Sequence, residues 1–233
     1  MQDYLYHIVQ DTPLLLTPEK TIFWEGANTL IISDLHLGRS KKIKAGDILI
    51  HDSDYELELQ RLMHQLYFFK ADRLIILGDF TYSIINNIPQ EFKNWRKNFS
   101  GIQMVWVKGK EDFIEEAWYR EHQVDICYHL FNEGPFSFVH NLEKYKKQND
   151  VPAMTGYPLS GHLRPVISRK VDGVQKADLP CFYFTAEQGL LPAFSGYGKR
   201  YKVKQQTGED VYAVINNSLQ HIRKLGRKKR SVV

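Results

Sequence analysis

With 233 residues, 43% of them hydrophobic, and a mean hydropathy of −0.40, the chain is sized for one large α/β domain with a full core rather than for two complete domains. Its two cysteines, Cys127 and Cys181, stand apart instead of in a C-x-x-C pair, which excludes a disulfide framework and a zinc knuckle and predicts two buried, reduced thiols. The formal charge of +4 is uneven: the last eleven residues, RKLGRKKRSVV, hold six basic and no acidic side chains, and subtracting those six leaves −2 for the rest.

The opening MQDYLYHIVQD lacks a basic region leading into a long apolar run, and no later segment has the length to span a bilayer. A cytoplasmic protein without a membrane partner is the expectation. Residues 1–222 read as one domain and 223–233 as a basic, flexible tail, either simply solvated or a weak phosphate-binding arm for nucleic acid or, as the lesser alternative, for anionic membrane.

Short apolar runs at 4–9 and 14–16, followed by TIFW at 21–24, predict a small strand pair leading in. TLIIS at 29–33 is β-branched and continuously apolar, the pattern of a strand buried on both faces, and it runs straight into Asp34-Leu35-His36. A basic cluster, RSKKIK at 39–44, follows at once. Leucines 57, 59, 62 and 66 with Met63 recur at helical spacing, with Ser53 or Asp54 as the cap.

RLIIL at 73–77 is a second buried strand, ending at Gly78-Asp79. PQEFKNWRKNF at 89–99 opens with proline at a helix start, and IQMVWV at 102–107 is the third strand, leading into Lys108-Gly109-Lys110-Glu111-Asp112. This β-α-β-α-β order predicts a parallel sheet with right-handed crossovers. Beyond residue 122 the pattern changes to short strands, VDICYHL, FSFVH, ISRKV, CFYF and VYAVI, punctuated by glycine and proline. A mostly antiparallel second half with little helix is expected. Trp95, Trp106 and Trp118 fall within these patterns as packing residues.

Chemistry-bearing residues collect where the strands end: Asp34-x-His36, Gly78-Asp79, the 109–112 loop, His140 in FVHN, and His162 with Arg164 in SGHLRP. Taken singly, Asp34 has an ordinary role capping a loop, His36 as a core histidine, and His140 at a strand end. Aspartate and histidine arriving from separate strands at one sheet edge can instead make a metal site.

ISDLHLG, LIILGDF, the glycine box, FVHN and SGHLRP, in this order, resemble the calcineurin-like metallophosphoesterases. DLHLGRSKKIKAGD, LSGHLRPVI, LPCFYF and LLPAFSGYGKRYKV are similar to the bacterial phosphoesterases associated with a DNA ligase and DNA-damage response, over nearly the whole chain. The resemblance implies a four-layer α/β sandwich of two mixed β-sheets flanked by helices. It also implies divalent ions (Mn2+, Zn2+ or Fe2+), hydrolysis of phosphate esters or nucleic acid, and DNA-repair proteins as partners.

Carried over by position, Asp34, His36 and Asp79 match ligands of a first ion, with Asp79 bridging to a second held also by His140 and His162. Three positions depart from the pattern. Lys110 stands for an asparagine ligand, Glu111 for the histidine that orients or protonates substrate, and Arg164 for a histidine ligand of the first ion.

Lysine near neutral pH and arginine offer no lone pair, so each ion loses a protein ligand, and one ion is expected rather than two. Alternatively the two cations replace ionic charge, leaving a salt-bridged centre able to bind phosphate through Arg164. Glu111 fits a negative charge at a helix start. Arg39 and Lys42 in the basic cluster are candidate substrate-binding residues at the rim. Three functions follow: a phosphoesterase with an altered or single-ion site, an impaired relative that binds phosphate, nucleic acid or a partner protein, and a structural accessory. Fold alone cannot choose among them.

Overall fold

The computed structural model describes residues 4–37, 41–45, 48–52, 55–81, 90–109, 115–171, 175–196 and 198–224. The chain enters through β1 (Leu5–Val9), β2 (Thr12–Leu16) and β3 (Ile22–Trp24), which pair antiparallel with one another and with β4 (Thr29–Ser33). The N-terminal segment is therefore a three-strand meander rather than a pair. Its third member, Ile22–Trp24, is too short to show strand alternation by itself.

A hairpin of β5 (Lys41–Ala45) and β6 (Ile48–Asp52), absent from the sequence reading, precedes α1 (Tyr55–Phe69). Its lysine-rich first strand lacks the apolar run by which the other strands are recognised. The parallel series then follows as expected: β7 (Arg73–Leu77), α2 (Gln90–Asn98), β8 (Gln103–Val107), α3 (Glu116–Glu121) and β9 (Val124–Cys127). The first sheet has the order β1-β2-β3-β4-β7-β8-β9.

Strand periodicity explains why β4, β7 and β8 read as continuous apolar runs. Leu30, Ile32, Leu74, Ile76, Met104 and Trp106 point to one face, where α1 supplies Leu59, Leu62 and Leu66, and α2 and α3 supply Phe92, Trp95 and Tyr119. Ile31, Ile75, Leu77, Val105 and Val107 point to the other face and meet the second sheet. Each fully buried aliphatic side chain contributes about 1.5–3 kcal/mol, so both faces of these strands stabilise the fold. Trp95 and Trp106 are buried, and Trp118 packs partly buried beside them.

The second sheet uses β10 (Phe131–Glu133), β11 (Phe136–Val139), β12 (Tyr157–Ser160), β13 (Pro165–Val171), β14 (Gln175–Phe184), β15 (Gly189–Leu190), β16 (Tyr201–Lys202), β17 (Asp210–Ile215) and β18 (Ser218–Ile222). The one-turn helix α4 (Leu142–Tyr145) precedes β12. Phe136, Phe138, Leu159, Phe182, Phe184 and Tyr212 face the first sheet and close the central core.

This half is mostly antiparallel, as expected, through β10–β11, β13–β14, β14–β15, β14–β17 and β17–β18, while β11–β12, β12–β15 and β13–β16 are parallel and make the sheet mixed. Alternation reveals a strand but not its direction, which depends here on the crossover through α4. The outer face is thinly covered: α4 packs Leu142 and Tyr145 on Val139, while Ile167, Cys181, Val203, Val211 and Ala213 form their own small cluster.

Cys181 is buried as expected, but Cys127 is only half-buried at the end of edge strand β9. No described helix is long and apolar enough to cross a membrane.

Candidate metal and phosphate centre

The parallel registers place the ends of five strands at one rim. Ser33 lies opposite Leu77, and Leu77 opposite Val107, so Asp34, Asp79 and the loop at Lys108 leave the first sheet together. Val139 lies opposite Ser160, so His140 and His162 leave the second sheet together. Backbone bonds tie the loops across this rim: His36 N donates to Asp79 O at 2.8 Å, Leu37 N to Phe80 O at 2.8 Å, and Phe194 N to Ser33 O at 2.7 Å.

Asp34, His36, Asp79, His162 and Arg164 all adopt positive φ, between 35° and 61°. That region is costly for side chains other than glycine, and here the cross-rim bonds hold it. Gly78, with φ 68°, is required twice over, since a Cβ there would lie 2.1 Å from the His140 ring.

Arg164 sits at the middle of the buried cluster. Its Nε donates to Asp34 Oδ1 at 2.9 Å and its Nη2 to Asp79 Oδ2 at 2.7 Å. Nη2 also donates to His36 Nε2 at 3.0 Å. Arginine only donates, so the bond to Nε2 puts the His36 proton on Nδ1, which faces Ser195 Oγ at 2.9 Å and Asp34 O at 3.1 Å. Burial lowers the His36 pKa, and the Arg164 charge acts in the same direction, which agrees with a neutral ring.

Burial would raise the Asp34 carboxyl. His140, Arg164 and Ser33 overcome that and hold it below the usual carboxylate range. Its Oδ2 also accepts from Ser33 Oγ and from His162 N. Gly198, with φ 101°, lets the chain pass over the guanidinium, where a Cβ would come within 2.3 Å of Nη1.

Two donor sets could hold a metal ion, Asp34 with His36 and Asp79, and Asp79 with His140 and His162, each with its ligand atoms within 4.8 Å of one another. The first does not accommodate an ion alongside Arg164, whose donors already engage all three residues. The second fits. His162 Nδ1 is buried without a hydrogen-bond partner, and His140 Nε2 lies 3.6 Å from Asp79 Oδ2.

Burial lowers the His162 pKa, and His140 adds to this, leaving an imidazole with a lone pair to offer. With the imidazoles of the cluster neutral, two carboxylates against one guanidinium leave it one unit negative, which a cation at the second set would offset.

A cavity of about 160 Å³ opens beside this second set, lined by His140 and His162 together with Lys108, Tyr128, Asn141 and Lys144. Asn141 is the N-cap of α4, accepting from Lys144 N at 3.0 Å, and so fixes the turn that carries Lys144. Lys108 lies 3.7 Å from Glu116 and 5.7 Å from the centre of the Tyr128 ring.

The five expected metal ligands and Arg164 thus converge. Lys110, Glu111 and Arg39 lie outside the described residues, and Lys42 is described only as part of β5.

Sequence reasoning placed Lys108 in the site loop but missed Ser195 and Lys144 as parts of this centre. FSGYGK marked the Ser195 loop weakly, but nothing in the spacing of Lys144 pointed to the rim.

No protein-family model matches the sequence, and no curated protein matches it. Among solved structures, the nuclease MPE of Pseudomonas putida is similar with a TM-score of 0.73 and 22% identity, covering 94% of this chain and all (100%) of that one. Yfce, a phosphoesterase from E. coli, aligns over 83% of this chain and 97% of its own with 12% identity and a TM-score of 0.42, too low to carry an argument. The two-sheet α/β sandwich is therefore the fold of the Pseudomonas nuclease.

Proposed function

We propose that this protein is a metal-dependent phosphoesterase acting on nucleic acid, with one divalent ion held by Asp79, His140 and His162, and with Arg164 in place of a second ion. The observation that carries the reading is the pairing of two neighbouring donor sets, one filled by the guanidinium and one left with an orphaned nitrogen on His162, a residue that lines a cavity. Likeness in fold to a nuclease supports the substrate class, and the sequence resemblance to ligase-associated phosphoesterases supports a role in DNA repair.

When bound, Mn2+, Zn2+ or Fe2+ supplies Lewis-acid polarisation of a phosphoryl oxygen and acidifies water. The chain does the rest. Arg164 offsets one of the two negative charges of Asp34 and Asp79 and directs Asp79 Oδ2. Lys108 and Lys144 line the cavity and supply positive charge for phosphate oxygens. Asn141 orients the turn beneath them.

The alternative, a relative that binds phosphate without turnover, has one observation in its favour: Arg164 closes the first donor set against the ion that usually completes two-metal chemistry. Hydrolysis of bis(p-nitrophenyl) phosphate and of an oligonucleotide, measured with and without Mn2+ alongside metal content, separates the two. Turnover that tracks one bound ion per chain supports the enzyme. A bound ion with no turnover supports the alternative, and no bound ion overturns the single-ion centre.

A further inference from the structure

The exposed edge of the second sheet carries a feature that the ion site does not use. β16 pairs in parallel with β13, Tyr201 opposite Pro165 and Lys202 opposite Val166, and Val203 N continues the ladder to Val166 O at 2.9 Å. β13 begins next to Arg164, so this edge starts at the buried cluster and leads away from it.

At its near end is a pocket of about 120 Å³ lined by Lys20, Arg164 and Arg200. The Lys20 ammonium is largely buried and donates to Phe194 O, a carbonyl rather than a carboxylate. Burial lowers its pKa to about 8, and Arg61 and Arg200 push the same way.

At its far end is a groove of about 580 Å³ whose rim carries Arg169, Lys202, Lys204, Arg223 and Lys224. Asp178 pairs with Lys202 at 2.7 Å. Among the described residues, no carboxylate lies within ion-pair range of Arg169, Lys204, Arg223 or Lys224. Five cations around one groove with a single paired carboxylate make a surface for a polyanion. From Pro165 to Arg169 the strand advances about 13 Å at roughly 3.3 Å per residue, so pocket and groove form one basic path. Between Arg200 and Lys202, Tyr201 is 47% exposed. An exposed aromatic ring interleaved with cations suits unpaired bases, which can stack where those of a duplex cannot.

We propose that the β13–β16 edge is a docking groove for single-stranded nucleic acid, with its phosphates along Arg200, Lys204, Arg223 and Lys224 and a base on Tyr201. That the docked strand is also the substrate rests on the functional reading above; the groove itself does not.

The test is fluorescence anisotropy of a labelled oligothymidine in EDTA, titrated over a range of salt. Lys204→Glu with Arg223→Glu raises Kd by about tenfold or more and makes the salt slope shallower by about 1.4, two phosphate contacts at roughly 0.7 each. Tyr201→Ala weakens binding about fivefold or more. Lys70→Glu with Lys97→Glu, the same change in net charge on exposed residues of the other sheet's helical face, leaves the slope unchanged.

Equal losses in the two double variants, or none in the groove variant with its thermal midpoint retained, would overturn the groove. A duplex bound as tightly as the single strand overturns the choice of a single strand. Binding in EDTA is independent of hydrolysis. A protein that holds the oligonucleotide through these residues yet cleaves no phosphodiester with Mn2+ keeps the groove and loses the functional reading.

Discussion

Arg164 Nη2 lies 2.7 Å from Asp79 Oδ2, and that contact puts a fixed organic cation where two carboxylates converge at the ends of separate strands. Asp34 and Asp79 are fully or almost fully buried, so without a cation their charges would be expensive. The guanidinium matches the pair geometrically because it donates from Nε to one carboxylate and from Nη2 to the other. An ammonium on a flexible stem would not reproduce that fork.

Arg164→Met is therefore expected to destabilise the protein by about 3–5 kcal/mol, since it leaves two buried carboxylates against no fixed charge. Added Mn2+ should recover part of the loss. Thermal unfolding with and without the ion checks this, and a variant as stable as the parent in EDTA would remove Arg164 from its charge-balancing role.

Arg164→His replaces the donor with a lone pair beside Asp34, His36 and Asp79. Metal content measured after Mn2+ loading and desalting should rise from one to two ions per chain. A content that stays at one ion would show that vacating the first donor set is not enough to make it a binding site.

His162→Ala removes the imidazole with the orphaned nitrogen while leaving the Arg164 bonds intact. Affinity for Mn2+ should fall by about tenfold or more, with little change in unfolding midpoint in EDTA. Titration calorimetry reads the first and a thermal scan the second; unchanged affinity would exclude His162 as a ligand.

Gly78→Ala meets two obstacles, a φ of 68° and a His140 ring 2.1 Å from the new Cβ. Strain and overpacking should cost about 2 kcal/mol or more, and displacement of His140 should weaken metal binding as well. Urea unfolding and metal titration on the same preparation test both parts; a loss of stability with full metal affinity would mean that the ring does not move.

Lys20 makes stability depend on pH. Its folded pKa, about 8, is below the ordinary 10.5, so between those values the unfolded chain binds more protons and stability from this group rises with pH. The cost of the buried ammonium is fully present below pH 8 and gone above 10.5. Its size is up to about 3 kcal/mol, less for the part of the side chain that water reaches. In Lys20→Met the corresponding rise in urea midpoint between neutral pH and pH 10 should disappear. Identical profiles for variant and wild type would place the titration elsewhere.

The apolar strands 29–33 and 73–77 were legible to the residue, because burial on both faces demands an uninterrupted run of large side chains. The same reading gave Asp34, His36, Asp79, His140, His162 and Arg164, since chemistry at a parallel sheet collects where strands end. It could name Arg164 as a residue that coordinates nothing.

A salt-bridged centre around Arg164 was one of two readings the sequence left open, and what it could not supply was the choice between them. Arg164 is 130 residues from Asp34 and 85 from Asp79, and composition offers no distance between them. Nor could periodicity mark β16, two exposed residues that become a strand only because β13 lies alongside and completes their backbone hydrogen bonds. Patterns of burial are local and survive in the order of residues. The pairing of a donor with its acceptor, and of a basic edge with the buried cluster beside it, exists only after the two sheets have closed on each other.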